Sequence, residues 1–236
     1  MAIYAYAKKT YSVTKKIASV LSIIFILAGI SILIWVTYPI VTFELFYSPK
    51  FGTTFIRPIP NESVRDEIST QLSQVIGGKN VDFTKASMWF PKATNIKLVT
   101  NVTSYQLSIA KLKIENANVV VGSEDLSKSL IHFTGPQPGN FGTPVIFGHS
   151  TIPWLYNPKD YKTIFSKLPD LNKGDEILLT YDNISYRYQV FDMRITSPDD
   201  LSVLEQNYNS AYLTLVTCVP PGTYLKRLVV KAKLVD

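Results

Sequence analysis

The stretch Tyr212-Leu213-Thr214-Leu215-Val216-Thr217-Cys218, followed by Pro220-Pro221-Gly222 and then Arg227-Leu228-Val229-Val230, decides how this chain reads. Two apolar runs flank a proline- and glycine-rich turn, which predicts two strands joined by a short connection. On the second run, Leu228, Val230, Ala232 and Leu234 alternate with Arg227, Val229, Lys231 and Lys233. That period of two puts one apolar face toward a core. Cys218, the only cysteine, ends the first strand, and Arg227 opens the second. Upstream, the apolar run Pro144-Val145-Ile146-Phe147 leads into Gly148-His149-Ser150. A thiol, a guanidinium and an imidazole therefore each stand at a strand end, where a β-scaffold holds catalytic groups.

These residues resemble those of the sortases, the membrane-anchored cysteine transpeptidases of bacterial surfaces. Thr214-Leu215-Val216-Thr217-Cys218 matches the family's Thr-Leu-x-Thr-Cys motif in full. Arg227 stands where the family has its arginine, and Gly148-His149 matches the context of its histidine. Gly139-Asn140, Lys173-Gly174-Asp175 and the closing Arg227-Leu228-Val229-Val230 also line up, over roughly residues 105–236. The resemblance implies a closed eight-stranded sortase-type β-barrel, mainly β with short helices, behind one N-terminal transmembrane helix. It implies a thioester on Cys218, cleavage of a Leu-Pro-x-Thr-Gly-like sorting signal, and transfer to an amine acceptor. The substrates would be surface proteins bearing a C-terminal sorting signal. The acceptor would be a cell wall precursor or a pilin lysine.

Each role has a chemical reason. A thiolate attacks the scissile carbonyl and retains the acyl group. An imidazole favours the thiolate and, once protonated, supplies the leaving amine with a proton. A guanidinium stays charged and donates to the developing oxyanion or the substrate backbone. Cys218, His149 and Arg227 are the expected catalytic residues; Thr217, Ser150 and Trp154 are the expected substrate-binding ones. The second histidine, His132, reads as a packing or groove-wall residue. No cofactor or metal is expected. Asp199-Asp200 and Glu124-Asp125 read as solvated acidic turns, since neither shows a calcium-loop pattern. Two rival functions stand beside the transpeptidase: a membrane-anchored cysteine endopeptidase that uses water, and a non-catalytic β-barrel module for adhesion or assembly.

The chain has 236 residues and a hydrophobic fraction of 46%, part of it concentrated in one segment. Residues 17–43 carry no charge, and Ile17 to Val36 alone supplies twenty residues. As a helix that length crosses about 30 Å of hydrocarbon. Lys8, Lys9, Lys15 and Lys16 precede it, and no acid occurs before Glu44. By the positive-inside rule, residues 1–16 form a cytoplasmic tail that can touch lipid head groups, and 44 onward lies outside the cell membrane. Val36-Thr37-Tyr38-Pro39 is a poor cleavage site, which argues for a retained anchor over a signal peptide. The formal charge of +6 falls to +2 once those four lysines are set aside. That is too little for a nucleic-acid footprint.

Residues 44–104 fit a stalk, a lid over the active site or a small packed addition, with a short amphipathic helix expected from Glu62 to Ile76. Residues 105–236 are expected to be the catalytic barrel. Strands are expected at 107–109, 119–121, 144–147, 176–181, 184–195, 211–217 and 228–234, and short helices at 123–130 and 161–168. Asp182-Asn183 reads as a hairpin turn. Along 184–195, Ile184, Tyr186, Tyr188 and Val190 are expected on one face and Phe191, Met193 and Ile195 on the other. The chain has no Asp-Pro, so the lid motif common in pilin-polymerising sortases is missing, which points toward a wall-anchoring type.

Overall fold

A computed structural model of the chain describes residues 13–53, 82–90, 93 and 103–235. The helix expected at 62–76 lies outside these residues. The chain divides into two units, residues 1–42 and 43–236.

In the first unit, α1 (Val13–Thr42) is 30 residues long. At 1.5 Å per residue it extends about 45 Å, more than a bilayer core requires. It is apolar on all sides, and its side chains from Ile17 to Thr37 are exposed. It is a helix long and apolar enough to cross a membrane.

The second unit is a mainly β closed barrel. Its strands are β1 (Gly52–Thr53), β2 (Ser104–Ile109), β3 (Ile114–Val121), β4 (Leu130–Thr134), β5 (Val145–Phe147), β6 (Glu176–Tyr181), β7 (Ile184–Thr196), β8 (Tyr212–Val219) and β9 (Lys226–Val235). The sheet order is β1-β7-β6-β2-β3-β4-β5-β8-β9, and pairing of β7 with β9 closes the eight strands β2–β9 into a barrel. Short β1 adds in parallel to the far end of β7, at Arg194 and Ile195. The β3–β4 and β5–β8 pairs are parallel, and the remaining barrel pairs are antiparallel. Glu44 pairs with Lys226 at 3.1 Å and the Tyr47 hydroxyl donates to Asp170 at 3.1 Å, so the start of this unit is docked on the barrel.

Inside, Leu107, Ile109, Ile114, Val119, Tyr188, Leu215 and Val230 fill a continuous core. A second buried cluster lies on the outer face: Val145, Phe147, Val216, Cys218 and Val229 pack there under Trp89, Phe90 and Val203. Strand register arranges this outer face in rows. Cys218 and Thr196 flank Arg227 in the first row; Val216 and Arg194 flank Val229 in the next; Thr214 and Asp192 flank Lys231 in the third.

Four local expectations are corrected. The 123–130 stretch is a turn rather than a helix, because the Asp125 carboxylate accepts from the Ser127 amide and hydroxyl. The 161–168 stretch is a series of turns ending in a 3-10 turn at Leu168–Asp170, where Pro169 lacks the amide a longer helix would use. Strand β4 went unannounced because its apolar residues run consecutively instead of alternating. On β7, the register shifts between Val190 and Asp192. This bulge leaves Phe191 exposed and returns Met193 and Ile195 to the interior, the same side as Tyr188 and Val190. The Asp182-Asn183 turn does form, with φ of 51° and 61°, as a primed hairpin turn requires.

Candidate active site

Cys218 and Arg227 are direct cross-strand partners on β8 and β9. The connection between them is short, with the Thr223 amide donating to the Pro220 carbonyl at 2.9 Å and Gly222 at φ +83°. His149 follows β5, which pairs in parallel with β8. Three bonds fix its segment to the cysteine strand. The Gly148 amide donates to Val216 O at 3.2 Å, the Thr217 hydroxyl donates to Gly148 O at 2.8 Å, and the Ser150 hydroxyl donates to Cys218 O at 2.6 Å. Gly148 has a steric reason as well: a Cβ there would stand 2.4 Å from Phe165 Cδ2 and 2.6 Å from Leu130 Cδ2. Only glycine lets the histidine turn lie this close to the core.

Thr217 and Ser150 thus direct their hydroxyls at backbone carbonyls and hold the two strand ends together. Trp154 sits on the 3-10 turn Pro153–Leu155 and is 48% exposed. Tyr156 donates its hydroxyl to Leu112 O and lies under the Lys167 ammonium, 4.8 Å from its ring centroid, so it packs rather than faces a groove. His132 lies within β4, buried, its Nδ1 3.1 Å from the Tyr105 hydroxyl. Among the acidic turns, Asp200 accepts from the Ser202 amide and Thr196 hydroxyl, and Glu124 accepts from the Ser87 amide.

Residues 82–90 cover the site, and sequence reasoning singled out none of them. Trp89 is fully buried, with its ring 5.4 Å from that of Phe147 and 5.6 Å from that of His149. The Arg227 guanidinium lies 5.5 Å from the Trp89 ring centroid and donates through Nη2 to the Trp89 carbonyl at 3.0 Å. Its Nη1 donates to Tyr224 O and Lys226 O, while its buried Nε has no acceptor among the described residues. The segment is tied down by the 122–128 turn. The Ala86 amide donates to Glu124 O at 3.0 Å and the Leu126 amide to Thr84 O at 2.9 Å. Phe83 also stacks on Tyr224 at 4.0 Å. A Trp-Phe pair at 89–90 in a polar stretch was the signal available in sequence.

This cover sets the electrostatics. Cys218 is 1% exposed and His149 7%. Burial pushes the thiol up to about 11, outweighing the pull of Arg227. Burial pushes the His149 imidazole down to about 4, outweighing the attraction of Asp125 and Asp82. Burial in the covered site thus favours a protonated thiol and an uncharged imidazole at neutral pH.

Comparison with known proteins places the geometry in a family. The sortase domain profile matches residues 107–235, more than half of the chain. Sortase D of Bacillus subtilis is 27% identical over 147 residues, covering 60% of this chain and 68% of its own. Sortase A of Streptococcus agalactiae is 32% identical over 73 residues, covering 31% of this chain and 29% of its own. Among solved structures, the pilus-related sortase C of Group B Streptococcus superposes with a TM-score of 0.52. It is 24% identical and covers 76% of this chain and 92% of its own. That likeness extends the match in fold to the whole barrel. The profile, the relatives and the barrel agree: this chain belongs to the sortase family and is a cysteine transpeptidase of the sortase kind.

Proposed function

We propose that the protein is a single-pass membrane transpeptidase, N-terminus inside, in which Cys218 cleaves a Leu-Pro-x-Thr-Gly-like signal after threonine. The observation that carries this reading is the pairing of Cys218 with Arg227 across β8 and β9, beside the β5 end that bears His149. The Cys218 thiolate attacks the threonine carbonyl, and the oxyanion accepts from Arg227, whose buried Nε is the donor left open. The C–N bond breaks as His149 gives a proton to the leaving amine, and a thioester remains. An acceptor amine on the cell envelope then attacks the thioester, His149 takes its proton, and the C–S bond breaks to leave the Cys218 thiolate and a new amide bond. Thr217 and Ser150 act by holding the strand ends in register, and Trp154 borders the approach. The substrates are surface proteins with a C-terminal sorting signal.

The segment 82–90 is a lid on this reading. Leaving the site uncovers Cys218 and frees the Arg227 donor held by the Trp89 carbonyl. Water returning to the site lowers the thiol and raises the imidazole, toward a reactive pair. Intact mass of the full chain in detergent, after mixing with Leu-Pro-x-Thr-Gly peptides, tests the reading. A peptide-acyl adduct absent from Cys218→Ala and discharged by an added amine is expected. An adduct discharged equally fast without amine would make the protein an endopeptidase. No adduct from a folded protein whose thiol alkylates would make it a binding module.

A further inference from the structure

The third row of the outer face opens into a cavity of about 290 Å³ lined by Thr143, Asp192, Glu205, Tyr212, Thr214 and Lys231, among others. Thr214, Val216 and Cys218 alternate along one face of β8, so the cavity lies in line with the thiol. Four residues of strand separate Thr214 from Cys218, about 13 Å. Between them is the apolar row of Val216 and Val229, beneath Val203.

The cavity is built for a polar guest. Thr214 is fully buried, yet its Oγ has no hydrogen-bond partner among the described residues. Such a group normally finds a partner, and a hydroxyl can accept from an ammonium or amide. The lining carries two carboxylates, Asp192 and Glu205, against one ammonium, Lys231. Asp192 is only loosely engaged by Lys173, at 3.9 Å. Asp192 and Glu205 both line the cavity beside Lys231, and with Asp200 they pull its ammonium up against the burial and the Arg194 charge that depress it. Phe191, set outward by the bulge on β7, and Tyr212 supply an apolar wall for a long aliphatic stem.

We propose that this cavity is a subsite for the residue that precedes Leu-Pro in the sorting signal, and that it selects a lysine or arginine there. The inference rests on the transpeptidase reading above. An extended peptide advances about 3.3 Å per residue, so with its threonine carbonyl at Cys218 its fourth residue upstream reaches Thr214. That residue is the one before leucine, and the leucine and proline then take the place of Val203 over the apolar row.

The test uses the full chain in detergent and three peptides, Lys-, Gln- and Glu-Leu-Pro-x-Thr-Gly, competing in one tube and read by product mass. The expected order is Lys, Gln, Glu, with lysine favoured over glutamate about fivefold, the scale of a partly exposed ion pair. Glu205→Gln should reduce that ratio toward one, and Thr214→Val should lower the lysine and glutamine peptides together. Equal rates for the three peptides, or a ratio unmoved by Glu205→Gln, would overturn the subsite. Calorimetric binding of the same peptides to Cys218→Ala gives a second readout. If no peptide is cleaved, the transpeptidase reading fails, and the binding order still decides the cavity: equal affinities reject it.

Discussion

The two faces of the β8–β9 hairpin belong to the same two strands but are buried by different means. On the inner face, Leu213, Leu215, Leu228, Val230 and Ala232 pack against side chains from the other barrel strands. On the outer face, Val216, Cys218 and Val229 are buried instead by Trp89 and Phe90, from a segment that belongs to no barrel strand. Burial of the inner face is inseparable from folding. Burial of the outer face depends on Val203 and on residues 82–90, which are held by backbone bonds to the 122–128 turn, by the Arg227 bond to the Trp89 carbonyl and by Phe83 on Tyr224. The barrel interior is thus packed independently of the segment that covers Cys218.

Four changes sharpen or break that contrast, given from the largest expected effect to the smallest. Cys218→Ala should abolish acyl transfer, a loss of at least about a thousandfold in product formation, while the melting temperature moves little. Substantial residual transfer would remove Cys218 from the chemistry. Leu215→Ala, on the inner face, should cost about 2–5 kcal/mol of stability in denaturant melts. A negligible cost would mean that the interior is not the stabilising core.

Acid should loosen both faces. Burial holds His132 and His149 down to about 4, against an ordinary value of 6.5. The unfolded chain therefore takes up protons first as pH falls. Stability present above pH 6.5 is lost progressively toward pH 4, by at most about 3 kcal/mol per histidine. Melting curves at pH 7 and 4.5 check this, and His132→Gln should make the dependence shallower. The smallest effect is expected from Trp89→Ala, read at the thiol. It should raise alkylation at pH 7 by up to about a hundredfold, as the thiol falls from about 11 toward 9, with the barrel still folded. Unchanged alkylation in a folded variant would end the lid reading.

Much of the barrel could be read from the sequence, because alternation survives wherever a strand has one buried face, as at Leu228, Val230 and Ala232. Cys218, Arg227 and Gly148-His149 stood out because each is fixed at a strand end within a motif. What escaped depends on contacts distant in sequence. Strand β4 is buried almost throughout and shows no alternation. The bulge at Phe191 exists only relative to β9. Trp89 gains its meaning from Phe147, His149 and Arg227, the last of them 138 residues further along. The sequence left a lid among the alternatives for residues 44–104, and the Trp89-Phe90 pair was its one local sign, but nothing local tells what that pair covers.

The most direct test of the central claim is intact-mass analysis of the full chain and its Trp89→Ala variant, each mixed with a Leu-Pro-x-Thr-Gly peptide and a small amine. An acyl adduct on Cys218 is expected in both, formed faster in the variant and discharged as the amine-linked peptide. An adduct on another residue, or none in either protein while the thiol alkylates readily, would contradict it.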